Sequence, residues 1–182
     1  MAKLVSKVYG DALFEAAMER DALSPLYEEV QSLQTVLMEN ADLVQFLNHP
    51  QIIKEEKIRV MENIFEERIS KELMGFLVTV IEKGRQKDLD KILGYFVERV
   101  KEYKKIGIVT VTSAMALSDG QKEKVEAKIL ETTSFESLEV TYVTDPSILG
   151  GLVIRIGDRV ADSSIKTRLS EIRRDLMKLQ LS

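Results

Sequence analysis

The sequence predicts an α+β protein of two domains, in which a bundle of five to six helices precedes a small α/β domain. From the start of the chain to about residue 105, apolar residues recur every three or four positions, as in helices that bury one face. From Ile106 onward, stretches of β-branched residues alternate with the two-residue period of half-buried strands. We therefore predict domains at 1–105 and 106–182, with the boundary near residues 104–107.

The first predicted helix has a stripe of small and apolar side chains. The stripe residues recur every four positions: Leu4, Val8, Ala12 and Ala16. Because alanine side chains are short, another helix could approach this stripe closely. The second helix is predicted to begin with Ser24 as its capping residue and Pro25 at its first helical position, which suits a residue without an N–H group.

The rest of the first domain also has helical spacing. The stretch "NADLVQFLNHP" is predicted to be a short helix ended by Pro50, because proline disfavours helical geometry in the residue before it. Helical spacing then covers residues 54–64, 70–83 and 89–100, and Gly84 is expected to cap the second of these helices at its C-terminus. Each helix has an apolar face to bury, and a helical bundle satisfies all of them together.

The second domain is predicted to contain a short sheet and two helices. The stretches "IGIVTVTSA", "LEVTYVTD" and "GGLVIRIGD" alternate with period two and are separated by turn residues. Between the first two, Ser118 and Gln121 have the spacing of a capping box, which predicts a helix that reaches about Thr132. A last helix is predicted over residues 163–181.

Residues 145–169, "DPSILGGLVIRIGDRVADSSIKTRL", are the most distinctive stretch of the chain. The glycine pair at 150–151 precedes a strand, whereas a phosphate-binding loop follows a strand and leads into a helix, so we interpret these glycines as relief of backbone strain. Residues 157–158 are predicted to turn a hairpin, and Asp162 or Ser163 to cap the final helix.

The final helix has an apolar seam, defined by residues spaced four and three apart over about two heptads. The seam residues are Ile165, Leu169, Ile172, Leu176 and Leu179. Two interpretations stay open at this stage: the seam packs on the sheet of its own domain, or it contacts helices of another chain.

Composition excludes several functional classes. The net charge is -4, and 16 basic against 19 acidic residues in 1–105, with 10 against 11 in 106–182, leave neither half basic, so nucleic acid is disfavoured as a partner. The chain has no cysteine, which excludes disulfides and thiolate chemistry. The N-terminus lacks the apolar core of a secretory signal, and the longest apolar stretch, "LMGFLVTVI", falls short of the ~20 residues that span a bilayer. No direct membrane insertion is expected.

No arrangement of residues predicts catalysis, a metal or a cofactor. His49 is the single histidine and lies beside Pro50 at a helix end, where it is interpreted as a turn residue. The acidic pairs at 28–29, 55–56 and 66–67 are interpreted as solvated helix surface. The serines form neither a nucleophile elbow nor an SxxK unit.

The sequence resembles the ATP synthase delta subunit family, which comprises the bacterial delta subunit and the mitochondrial oligomycin-sensitivity-conferring protein. The resemblance covers essentially the whole chain. At the start, "VYGDALFEAA" is similar to the family's first helix, and "VIEKGR" is similar to a helix end in which an Asn often stands in place of Lys83. The most specific match is residues 145–169, which follow the family order of Asp, Gly-Gly, alternating apolar residues, Gly-Asp, Asp-x-Ser and a basic helix.

The resemblance implies a non-catalytic stator of an F-type ATP synthase that supports ATP synthesis driven by a proton gradient. It implies one copy per hetero-oligomeric complex, peripheral on the cytoplasmic face of a bacterial cell membrane. In the family, the helical domain binds the N-terminal segment of an alpha subunit through its first and fifth helices, and the C-terminal domain joins the b-subunit stalk helices. Carried over, the alpha-binding residues are Tyr9, Ala12, Leu13, Val80, Ile81 and Arg85.

Two hypotheses follow from the resemblance. In the first, Tyr9 and Val80 line a groove for an amphipathic helix of the alpha subunit. In the second, the seam of the last helix, represented by Ile165, Leu169, Ile172 and Leu176, contacts the b-subunit stalk instead of its own sheet.

Two other classes of function compete with the stator. A free-standing helical adaptor or regulator outside any rotary ATPase would have the same amphipathic helices. An enzyme that uses convergent carboxylates would instead have a deep pocket with perturbed acids.

Overall fold

The computed structural model describes residues 2–65 and 68–180, and their side chains except those of residues 2, 3, 175, 176 and 178–180. The described residues form eight α-helices, four strands and two 3₁₀ turns, at Gln86–Asp88 and Pro146–Ile148. The helices are α1 (Ala2–Glu19), α2 (Leu23–Glu39), α3 (Ala41–Asn48), α4 (Lys54–Phe65), α5 (Lys71–Glu82), α6 (Leu89–Tyr103), α7 (Asp119–Thr132) and α8 (Ile165–Gln180). The strands are β1 (Ile106–Ser113), β2 (Ser137–Thr144), β3 (Leu152–Ile156) and β4 (Arg159–Asp162). The predicted α+β class is confirmed.

The chain divides into two compact units, Met1–Lys101 and Glu102–Ser182. The division lies in the last turn of α6, a few residues before the boundary predicted at 104–107.

The first unit is a helical bundle around one apolar core. The side chains that are buried to 2% exposure or less come from the apolar faces of five helices: Val30, Leu33, Leu47, Met61, Leu73, Leu77, Val80, Ile81, Ile92, Leu93, Phe96 and Val100. Burial of each such side chain contributes about 1.5–3 kcal/mol, so this shared core dominates the stability of the unit.

The start of α2 differs from the prediction. The helix begins at Leu23, with Ala22 before it, so Ser24 is not its capping residue. Leu23 is buried in the core, and the Leu26 N–H donates to the Ala22 carbonyl at 3.0 Å, which closes the first turn. Pro25 therefore occupies the third helical position. A backbone N–H group there would have no acceptor within the helix, so a proline at this position costs no hydrogen bond.

The start of α5 depends on a carboxylate from α2. Ser70 is the N-cap, and its Oγ accepts from the Leu73 N–H at 3.3 Å. Glu29 Oε2 in turn accepts from the Ser70 N–H at 2.9 Å and from the Ser70 hydroxyl at 2.7 Å. Glu29 is half-buried, so its interpretation as solvated surface was wrong, whereas Glu28 is exposed. The acidic pair at 66–67 lies outside the described residues.

The second unit contains a mixed four-stranded sheet with the order β2-β1-β3-β4. β1 pairs with β2 in parallel, and α7 connects these two strands, while β3 pairs antiparallel with both β1 and β4. One face of β1 is buried: Val109 and Val111 pack with Ile129 of α7 in the small core. The predicted capping of α7 is confirmed, since the Ser118 N–H donates to Gln121 Oε1 at 2.9 Å.

Residues 145–169 form a hairpin and the start of α8. The structure confirms the interpretation of the glycine pair: Gly151 has φ +78° and lies before β3. The predicted cap of α8 was wrong, because Ser164 fills that position and its Oγ accepts from the Thr167 N–H at 3.2 Å. Asp162 supports the cap by accepting from the Ser164 N–H at 2.8 Å and from the Thr167 hydroxyl at 2.7 Å. These hydrogen bonds lower the pKa of Asp162.

Gly151 is expected to be intolerant of a side chain. A Cβ at this position would lie 2.4 Å from the Ser163 carbonyl oxygen, and φ is positive, so Gly151→Ala should cost about 2 kcal/mol of unfolding free energy. Gly157 in the β3–β4 turn is the matched control, because its φ is +55° but a Cβ there would meet nothing within 4 Å. Gly157→Ala should cost about 1 kcal/mol. Equal losses in urea denaturation would contradict the predicted clash.

Tyr142 of β2 is tied to α7. Its hydroxyl donates to Glu126 Oε1 at 2.8 Å. Burial raises the pKa of Tyr142 to about 12, and the hydrogen bond to Glu126 acts in the same direction. Because the pKa is higher in the folded state, the neutral phenol stabilises the fold fully below pH ~10, and this contribution is lost as the pH rises towards 12.

Tyr142 should therefore ionise above the ordinary tyrosine range. In an alkaline absorbance titration we expect a late phase from Tyr142, and this contribution should be lost in Tyr142→Phe. A late phase that survives in Tyr142→Phe would assign it to a different residue.

Candidate partner-binding surfaces

An open groove of about 530 Å³ lies on the helical unit, between α1 and α5. Its walls are rich in small residues, so the backbone of a bound helix could approach closely. The α1 side is formed by Ala12, Leu13, Ala16, Ala17 and Arg20, and the α5 side by Lys71, Glu72, Gly75, Phe76 and Thr79. Ala22, Pro25, Leu26 and Glu29 of the adjoining turn and α2, with Ser70, complete the lining. The groove thus offers a mostly apolar floor with charged residues at one end.

The apolar surface continues from the groove along α1. Val8 is 58% exposed and Leu4 is 68% exposed, one and two turns before Ala12. Large apolar side chains with this exposure on one helix face are typical of an interaction surface. The stripe predicted from the sequence, Leu4, Val8, Ala12 and Ala16, therefore faces solvent instead of the bundle core.

Of the six predicted alpha-binding residues, four reach the surface or line the groove, and two are buried in the bundle core. Ala12 and Arg85 are exposed, and Tyr9 is half-buried, so these three side chains reach the surface. Leu13 lines the groove with only 3% of its surface exposed.

Val80 and Ile81, at 0% and 2% exposure, belong to the bundle core and do not line the groove. Tyr9 is not among the groove residues either, so the hypothesis that Tyr9 and Val80 line the groove is wrong. A charged residue at position 80 would test the stability of the bundle and not its binding surface, because an unpaired charge would be buried.

The α5 residues that do form the groove were missed by the sequence analysis. Gly75 and Thr79 lie on the exposed side of α5, and Phe76 lies at the edge of that side, half-buried against the bundle core. Gly75 itself was a usable signal. A glycine inside a helix lowers the stability of the helix, so its presence there can indicate that another group must approach closely.

The seam of α8 is exposed along its described part. Ile165, Leu169 and Ile172 are 46%, 53% and 57% exposed. The side chains of Leu176 and Leu179 lie outside the described residues. This exposure disfavours packing of the three side chains on their own sheet, and it leaves the seam as a second apolar surface that a partner could cover.

Within the described part of the chain, no group of three His, Asp or Glu side chains is placed to hold a metal ion. His49 is exposed at the end of α3, where its carbonyl accepts from Lys57 Nζ at 2.8 Å and its Nδ1 accepts from the Gln51 N–H at 3.3 Å. No helix among the described residues has the length and apolar character to cross a bilayer.

The sequence as a whole matches a known family. The family model described as ATP synthase delta (OSCP) subunit matches residues 5–176. The chain belongs to this family. The resemblance noted from the sequence motifs is thus confirmed, and the match includes the groove and the described part of the α8 seam.

Individual members of the delta (OSCP) family are similar over their full length. The chain is 49% identical to an ATP synthase subunit delta of Lachnoclostridium phytofermentans, with 100% of both chains covered. It is 35% identical to an ATP synthase subunit delta of Brevibacillus brevis, with 93% of this chain and 96% of the relative covered. A chain in the cryo-EM structure of the Toxoplasma gondii mitochondrial ATP synthase hexamer shares the fold, with a TM-score of 0.70, 18% identity and coverage of 94% and 97%.

Proposed function

We propose that this chain is a non-catalytic stator of an F-type ATP synthase, which joins the catalytic head to the peripheral stalk and so supports ATP synthesis driven by an ion gradient. Membership of the delta (OSCP) family carries the proposal. The same membership disfavours a free-standing adaptor outside a rotary ATPase. A stator must hold two bodies together under torque, which requires a firm contact at each end and no turnover chemistry.

The groove between α1 and α5 is the proposed contact with the head. Its partner is the N-terminal segment of an alpha subunit, bound as an amphipathic helix. Small side chains at Ala12, Ala16 and Gly75 permit close approach, and Phe76 supplies an apolar contact. An apolar helix face laid in an apolar groove is a recurrent mode of peptide recognition. The supporting observation is the exposed stripe of α1, which leads from Leu4 into the groove.

The α8 seam is the proposed contact with the b-subunit stalk. Ile165, Leu169 and Ile172 repeat with coiled-coil spacing and are exposed, as expected for a helix that shares a seam with helices of another chain. An exposed apolar surface on each of the two units fits a part that binds a different partner with each unit. The chain would be present once per complex, peripheral on the cytoplasmic face of the membrane.

Reconstitution tests the proposed function. Membranes that carry the ATP synthase are stripped of this subunit, and coupling between ATP hydrolysis and ion pumping is measured before and after the purified chain is added back. We expect the chain to restore coupling without any ATPase activity of its own. Failure to bind the stripped enzyme, with the added chain folded, would refute the stator assignment and favour the free-standing adaptor.

A further inference from the structure

We propose that the Arg20–Glu72 ion pair is a register stop, which fixes where a helix bound in the α1–α5 groove must end. This inference rests on the proposed function, because it concerns the alpha-subunit segment that the groove is proposed to bind. It adds a specificity element: the ion pair closes one end of the groove, so a partner helix can extend past the other end only.

The geometry of the groove places the ion pair at one end. The α1 wall runs from Ala12 to Arg20, and the α5 wall runs from Glu72 to Thr79. Arg20 Nη1 contacts Glu72 Oε1, which joins the last residue of the first wall to the beginning of the second. The two helices therefore run in opposite directions along the groove, and at ~1.5 Å per helical residue the walls are about 12 and about 10 Å long.

A second polar contact reinforces the closed end. Beside the ion pair, Glu29 Oε2 holds both the N–H and the hydroxyl of Ser70, at 2.9 and 2.7 Å. Pro25 and Leu26, from the first turn of α2, line the same end of the groove. A helix that continued past Arg20 would meet these groups, and it would have to break charge-assisted hydrogen bonds without replacing them.

The opposite end of the groove is open. There the small stripe of α1 leads to Val8 and Leu4, which are exposed over more than half of their surface. From Ala16 to Leu4 the stripe spans about 18 Å, or a little over three helical turns. A bound helix therefore gains apolar contact when it is extended towards Leu4, and gains none when it is extended past the ion pair.

The pair remains charged at neutral pH and into the mildly acidic range. The pKa of Glu72 is lowered by a hydrogen bond from its own backbone N–H and by the Arg20 guanidinium. Both side chains are on the surface, with 64% and 33% of their side-chain area exposed, so removal of the pair should leave the unfolding transition nearly unchanged. The pair can therefore be deleted without loss of the fold.

A peptide series tests the register stop with the full-length chain. Peptides from the alpha-subunit N-terminus are lengthened by one helical turn at either end, and the affinity of each is measured by calorimetry. For the unmodified chain, we expect extension at one end to raise the affinity several-fold and extension at the other end to leave it unchanged. In the double variant Arg20→Ala/Glu72→Ala, extension at the closed end should raise the affinity, but by less than extension at the open end, because Glu29 and Ser70 stay in place. The charge-swapped variant Arg20→Glu/Glu72→Arg should restore the stop.

The outcomes separate this inference from the proposed function. Tight binding with the same dependence on length in the unmodified chain and the double Ala variant would overturn the register stop and leave the groove assignment intact. No binding of any peptide to the folded, unmodified chain would overturn the groove assignment, and the register stop with it.

Discussion

Gly75→Leu is expected to weaken binding of an alpha-subunit N-terminal peptide about 100-fold, or by about 2.7 kcal/mol. Gly75 lies in the wall of the groove, and a Cβ added there would meet nothing within 4 Å, so a leucine side chain would project into the space proposed for the partner. The fold should be retained or slightly stabilised, because leucine favours a helix over glycine by up to about 1 kcal/mol. Calorimetry measures the affinity, and thermal unfolding measures the fold.

Gly94→Leu is the matched control for this prediction. Gly94 lies within α6 of the same unit, outside the groove, and a Cβ there would have only Gln34 Nε2 nearby, at 3.9 Å. This variant should therefore bind the peptide with unchanged affinity. If Gly75→Leu bound the peptide as tightly as the unmodified chain, the groove would not be the alpha-binding site.

Leu169→Asp and Ile172→Asp are each expected to abolish binding to the b-subunit stalk. Both side chains are more than half exposed, so the charge would be placed on the proposed interface at little cost to the fold. Buried in a helix–helix seam, an unpaired carboxylate would cost several kcal/mol, which corresponds to a loss of at least about 100-fold in affinity. Co-purification with the soluble part of the stalk measures the effect.

Ser170→Asp is the control that distinguishes a charge within the seam from a charge elsewhere on α8. Ser170 follows Leu169 directly and is exposed, but it lies outside the seam, so it adds the same charge on a different face of α8. Its stalk binding should be retained. A large fall in melting temperature for Leu169→Asp, with stalk binding unchanged, would show instead that the seam packs within its own unit.

The sequence predicted the apolar surfaces better than it predicted the residues of the groove. The spacing of Leu4, Val8, Ala12 and Ala16 identified a stripe correctly, because helical periodicity depends on local geometry alone. The two sides of α5 could not be distinguished in the same way. Its stretch "LMGFLVTVI" is apolar almost all round, so spacing does not reveal whether Val80 or Phe76 faces the core.

The cap of α8 and the long-range polar contacts could not be predicted from the sequence either. Residues 161–164, "ADSS", contain three candidate capping side chains in a row, and the choice of Ser164 depends on a distant contact, in which the Ile165 N–H donates to the Gly150 carbonyl at 3.0 Å. Likewise, the role of Glu29 depends on Ser70, which is 41 positions away in the chain. Such pairings are set by tertiary packing, and local propensity cannot supply them.

The position of β1 in the sheet has a consequence for synthesis of the protein. Every helix that packs in the helical unit has been synthesised by the time residue 101 has left the ribosome. β1 is different, because its two neighbours, β2 and β3, begin 31 and 46 residues after Ile106. Until both have emerged, the unpaired edges of a β-branched strand are open to pairing with other chains. The nascent chain should therefore be most prone to aggregation while residues 106–156 are being translated.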